Sequence, residues 1–176
     1  MKKSNLFKLC CCAVFAAIIC IFTFAFPVPL PNKGYFNFGD CFVIMASLLL
    51  GPLWGGLAAG VGAGLSDFIL GYSIYIPATF IIKWLMAVGC YFVYKFTMSA
   101  FKNKVAVSVF LSAVVAEFIM IFGYFLFEIP LYGIGVAIAD IIGNSIQGAI
   151  GAVSSSLLYI FVYKTGILKK FFNFKR

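Results

Sequence analysis

Residues 37–72 read NFGDCFVIMASLLLGPLWGGLAAGVGAGLSDFILGY, two apolar runs meeting at Gly51 and Pro52 and bracketed by two carboxylates, Asp40 and Asp67. Proline ends the helical hydrogen-bond ladder that precedes it and glycine reaches conformations closed to other residues, so the stretch divides into two segments. The first, at about 14 residues, covers only about 21 Å of a roughly 30 Å hydrocarbon layer. It fits either a tilted helix or half of a re-entrant hairpin, and both return the chain to the side from which it came. The acids at the two ends are the informative feature, because the whole chain holds only five Asp and Glu residues. Carboxylates spent inside apolar segments mark functional positions more often than not.

Composition assigns the class. The chain has 176 residues, of which 64% are apolar and 10% charged, with a mean hydropathy of +1.12. Apolar runs of roughly 20 residues recur along it, and a soluble fold would lack the polar surface to cover them. Aromatic residues make up 19%, with 22 Phe, yet strand-like alternation is absent, which selects helices over a barrel. The expected architecture is an all-α membrane protein, a six-transmembrane-helix bundle forming one domain over residues 1–176. Its spans are expected at about 6–26, 37–50, 53–70, 76–97, 105–127 and 136–163. Residues 1–26 have the basic start and apolar stretch of a secretion signal, but the stretch is long enough to cross, and it reads as a retained first helix.

Basic residues set the expected orientation. Lys2, Lys3 and Lys8 precede the first span, Lys95, Lys102 and Lys104 surround the fourth connection, and Lys164, Lys169, Lys170, Lys175 and Arg176 follow the last. All fall on one side, with Lys33 alone opposite and Lys83 inside a span, so both termini are expected in the cytoplasm. The net charge of +8 then reflects topology and implies no nucleic acid partner. The six cysteines show no CxxC spacing and the chain has no His, so no metal site is expected and the thiols read as packing residues. There is no phosphate loop, no HExxH, and no Ser or Cys beside a plausible base; enzymatic chemistry and a bound cofactor are therefore not expected. The absence of an evident internal repeat weakens the case for a self-contained secondary carrier.

Helical spacing gathers the remaining polar residues. Lys83 lies about 10 Å below the outer end of its span and needs an anion, with Asp67, Asp140 and Glu117 as candidates. Asp140, Asn144, Gln147 and Gly151 share one face of the last span; Glu117, Tyr124 and Glu128 share a face of the fifth; Thr79 and Lys83 stand one turn apart in the fourth. These stripes open toward the outer side and would suit a pocket lined by Tyr35, Tyr72, Tyr75, Trp84 and Tyr124, built to stack a flat polar heteroaromatic and hydrogen-bond its edge. An ion-paired network that only braces the bundle is the competing reading. Gly56, Gly60 and Gly64 provide close helix packing, while Ala13 and Ala17 form a small-xxx-small pair suited to packing or to a partner helix. The first outer loop, PVPLPNKGYFNFG, is stiffened by three prolines and could close over a ligand.

Residues 34–84, GYFNFGDCFVIMASLLLGPLWGGLAAGVGAGLSDFILGYSIYIPATFIIKW, resemble the substrate-binding S components of energy-coupling factor (ECF) vitamin transporters, in particular the riboflavin-type and hydroxymethylpyrimidine-type group. The matching elements are the GD after the first outer loop, the LLLGP turn, the glycine-rich span ending in SD and GY, and the PATFIIK run. The resemblance implies capture of a water-soluble vitamin or precursor from outside the cell membrane. It further implies docking on a transmembrane coupling protein driven by two cytoplasmic ATPases, with Ala13 and Ala17 at the docking face. Residues 32–38, including Tyr35, Phe36 and Asn37, would cap the pocket. Two other functions compete with this one: a proton-coupled carrier titrating at Glu117, and a structural or signalling membrane protein.

Overall fold

The computed structural model describes residues 3–25, 28–29, 35–102 and 104–166, apart from the side chains of Lys3, Ser4, Val28, Pro29, Tyr35 and Phe36. Helix α1 spans Lys3–Phe24, α2 Gly39–Leu70, α3 Ile76–Ala100, α4 Val105–Tyr132 and α5 Ile134–Lys164. Between α1 and α2, strand β1 (Val28–Pro29) pairs antiparallel with β2 (Tyr35–Phe36), Val28 opposite Phe36 and Pro29 opposite Tyr35. All five helices are long and apolar enough to cross a membrane.

Among the described residues five helices replace the six expected, because the second and third spans belong to one element. Gly51 interrupts α2 with φ 84° and ψ −179°, a conformation essentially reserved for glycine, and Pro52 begins the next turn where a missing N–H costs nothing. The break is a reversal. A Cβ on Gly55 would lie 2.7 Å from the Ala46 carbonyl oxygen, whereas in an unbroken helix those residues stand about 13 Å apart. The two arms of α2 therefore run back along each other, the hairpin alternative raised by the short first segment.

Helix α2 packs on α1 and α3, α4 packs on α3 and α5, and α5 closes against α2 and β2. The glycines of the second arm serve two neighbours. Side chains at Gly56, Gly60 and Gly64 would run into or against Trp84, Phe80 and Ile76 of α3, and one at Gly62 into Ala16 and Ile19 of α1. Lipid tails are as apolar as leucine, so this backbone-to-side-chain closeness, more than solvent exclusion, holds the helices together.

The outer surface carries Phe96, Phe118, Ile142, Leu157 and Phe161, all exposed, while Asp40, Ser47, Lys83, Glu117 and Gln147 are buried. That distribution suits a bundle immersed in hydrocarbon. The half away from the β1–β2 ribbon is filled by Met86, Cys90, Val109, Ala113, Ala116 and Met120, with Tyr94 and Tyr159 hydroxyls 3.3 Å apart. The other half is where polar side chains collect.

Candidate functional site

All five carboxylates of the chain are buried, none more than 3% exposed. They sit in or around one cavity at the ribbon end of the bundle, partly open to the exterior. Thr23 of α1 and Asn37 line one side; Ala63 and Asp67 come from the second arm of α2, and Tyr72 and Tyr75 from the α2–α3 turn. Thr79 and Lys83 of α3, Tyr124 and Glu128 of α4, and Asn144 and Gln147 of α5 complete the wall.

The floor is a connected polar network. Lys83 Nζ pairs with Asp40 Oδ1, and Gln147 Nε2 donates to the other carboxylate oxygen at 2.6 Å. Gln147 Oε1 in turn accepts from the Asn37 backbone N–H at 3.0 Å and its side-chain amide at 3.4 Å, and Asn37 Oδ1 accepts from the Gly39 N–H. One amide thus ties the buried ion pair to the chain entering α2. Satisfying both oxygens of Asp40 matters, because a buried charge with one partner missing costs several kcal/mol.

Asp40 is not among the partners expected for Lys83. Counting depth from the start of each span put Asp40 near the surface, yet the first arm of α2 is short and begins well inside the bundle. Its first turn therefore lies level with Lys83, two turns into α3. Glu117, one of the expected partners, instead sits behind the floor against Gly148 and Gly151, whose missing side chains make room for it and for Asp40. It is 3% exposed, and among the described residues neither of its oxygens has a hydrogen-bond partner.

Toward the mouth, the walls are aromatic. Tyr75 packs on Phe127 at 5.3 Å and stacks on Tyr132 at 6.3 Å between ring centroids, and its hydroxyl donates to Glu128 Oε1 at 3.5 Å. Burial, reinforced by Tyr132 and by the charge of Glu128, pushes the Tyr75 phenol above its ordinary range, so it remains a donor. Tyr124 exchanges a 3.1 Å hydrogen bond with Thr79 and offers its ring to Lys83 Nζ at 5.7 Å. Asp140 lies behind Glu128, close enough to act on its charge.

The residues singled out from sequence divide accordingly. Asn37, Asp67, Tyr72, Tyr75, Thr79, Lys83, Tyr124, Asn144 and Gln147 meet on the cavity wall. Asp140 and Glu117 are buried just outside it, and Trp84, 37% exposed, turns away to pack on Gly56 and Phe80. The reason is helical: Trp84 follows Lys83 by one residue, about 100° around the axis. The side chains of Tyr35 and Phe36, and residues 32–34 of the expected cap, lie outside the described residues. Ala13 and Ala17 face away from the bundle. Thr23, Asp40 and Glu128 were missed as site residues; for Glu128 the signal was present, since it shares a helical face with Tyr124.

Comparison with known proteins adds the following. A family model described as "ECF-type riboflavin transporter, S component" matches residues 3–164. The thiamine precursor transporter HmpT of Lactococcus lactis subsp. cremoris (strain MG1363) is 27% identical over 173 residues, 97% of this chain and 96% of the relative. A Pyrococcus woesei protein described as "Uncharacterized protein in gap 3'region" is 32% identical over 141 residues, 79% of this chain and 90% of that one. A solved structure titled "Structure and mechanism of the S component of a bacterial ECF transporter" superposes with a TM-score of 0.63, covering 93% of this chain and 98% of its own at 21% identity, a likeness of fold.

Proposed function

Because this chain belongs to the ECF-type riboflavin transporter S component family, we propose that its cavity captures a small, flat, water-soluble vitamin or vitamin precursor such as riboflavin or a pyrimidine or pyridine vitamer. The observation that carries this is the cavity itself. Its wall sets the rings of Tyr72, Tyr75 and Tyr124 beside the polar groups of Asn37, Thr79, Lys83, Asn144 and Gln147, the kind of lining that suits a heteroaromatic ring system. Such a ring stacks on aromatic side chains while a few polar groups fix its orientation.

The protein is a multi-pass membrane subunit of a transporter. In the proposed arrangement the two arms of α2 act as two rods, giving six in all, and the chain enters and leaves on the cytoplasmic side. Lys8, Lys95, Lys102, Lys104 and Lys164 all lie toward the end away from the cavity, where positive charge is retained in the cytoplasm. The cavity then opens outward. The exposed Ala13 and Ala17 of α1 would meet the transmembrane coupling protein, and the two cytoplasmic ATPases would supply the energy.

Mass spectrometry of the protein purified in mild detergent, followed by titration of stripped protein with the molecule released, tests the capture role. A co-purifying heteroaromatic that rebinds with submicromolar affinity, worth more than about 8 kcal/mol, is the expected result. Protein that emerges empty and binds none of riboflavin, pyrimidine or pyridine vitamers would refute it.

A further inference from the structure

The cavity is electrically lopsided in a way that capture of a vitamin does not by itself require. At its inner end the one cation, Lys83, is already neutralised by Asp40, with Glu117 close behind. At its outer end Glu128 and Asp67 stand on the wall and Asp140 acts on Glu128 from behind. Among the described residues no second cation faces this space.

Glu128 adds an independent sign that something is to be received there. It is 2% exposed and lines the cavity. One of its oxygens accepts from Tyr75, while Oε2 has no hydrogen-bond partner among the described residues. A buried carboxylate oxygen left without a donor is costly, and a ligand N–H entering the cavity is a natural donor to it.

We propose that Glu128 is a specificity-determining residue, accepting a hydrogen bond from a ring or amino N–H of the substrate, and that the cavity selects neutral or cationic nitrogen heterocycles against phosphorylated or carboxylated ones. This rests on the capture function above and narrows it. The ligand lies with its donor edge toward Glu128 and its acceptor edge, a ring nitrogen or carbonyl, toward Lys83, which keeps N–H groups beyond the one given to Asp40. Tyr75 and Tyr124 flank the ring. A phosphate ester has no place in this scheme: wherever it is set, it meets a carboxylate or displaces one from its partner, and like charges in a low-dielectric site repel strongly.

The test compares three matched pairs on the purified full-length protein in detergent: riboflavin with riboflavin 5′-phosphate, 4-amino-5-hydroxymethyl-2-methylpyrimidine with its phosphate ester, and pyridoxine with pyridoxine 5′-phosphate. For whichever pair binds, the unphosphorylated member is expected to bind at least about 100-fold more tightly, equivalent to about 2.7 kcal/mol. Glu128→Gln should weaken that member about tenfold or more and narrow the gap within the pair. A phosphate ester that binds as well as its parent overturns the charge selection while leaving capture standing. An unchanged affinity and gap in E128Q overturns the role of Glu128. If no member of any of the three pairs binds, capture and selection fall together. The wild-type comparison needs no variant, so a poorly folding E128Q would still leave the charge selection decided.

Discussion

Replacing Lys83 with Met removes the single cation that lines the cavity among the described residues. Asp40 is 1% exposed, and its two oxygens are held by Lys83 and Gln147. Taking away one member of a buried pair costs about 3–5 kcal/mol, most of it the penalty of the stranded charge. Gln147 would still donate to Asp40, which places the expected loss near the lower bound, about 3 kcal/mol. For a chain of this length that corresponds to a melting temperature lowered by about 6–12 °C. Asp40→Asn should cost less, about 1–2 kcal/mol, because Asn retains an acceptor oxygen and Lys83 still feels Glu117. The double variant carries neither charge and should recover most of the Lys83→Met loss, a coupling of about 2 kcal/mol or more. Thermal unfolding of the four proteins, ligand-free and in one detergent at neutral pH, gives the cycle. A Lys83→Met protein that melts within about 2 °C of wild type, or a double variant as unstable as the two single losses added together, would refute the reasoning that this pair is buried and mutually dependent.

Other outcomes follow from individual contacts. Gly51→Ala has open space, the nearest atom being Tyr91 Cε2 at 3.9 Å, so its cost is backbone strain alone, about 1–3 kcal/mol by thermal unfolding. Gly56→Ala drives a methyl into the Trp84 indole and should lower stability by about 1–3 kcal/mol, with partial recovery when Trp84→Ala is added. Gln147→Ala cuts the link between Asp40 and Asn37, and stopped-flow binding should show ligand release accelerated about tenfold, equivalent to about 1.4 kcal/mol. Bulky residues at Ala13 and Ala17 together, which face away from the bundle, should leave ligand affinity within about twofold and abolish uptake by the reconstituted transporter; unaltered uptake would remove that face from the docking surface.

Much of the fold was legible because hydrocarbon imposes few choices: long apolar runs had to be helices, and their limits at Ile76, Val105 and Ile134 fall close to those read from the chain. The Gly51–Pro52 break was visible too, although whether the chain tilted or doubled back there depended on a fit between Gly55 and Ala46 that only three dimensions reveal. Helical spacing brought Thr79 with Lys83 and Asn144 with Gln147, since residues on one helix share a fixed geometry. Relations between helices were harder. The Asp40–Lys83 pair depends on how deep α2 begins, and no periodicity within either helix encodes that offset. Trp84 was drawn into the site by its chemistry although its position on the helix turns it outward, while Glu128, on the face it shares with Tyr124, lines the cavity.

Helices α4 and α5 are joined by Gly133 alone, held at φ 84° and ψ 161°. A link of one residue cannot lengthen, so Glu128, four residues before Tyr132 ends α4, and Asp140, six residues into α5, stay within about 18 Å of each other at 1.5 Å per residue however the two helices swing. Any parting of α4 from α5 would pivot on this one glycine, and the two carboxylates beside the pivot would travel less than the far ends of their helices.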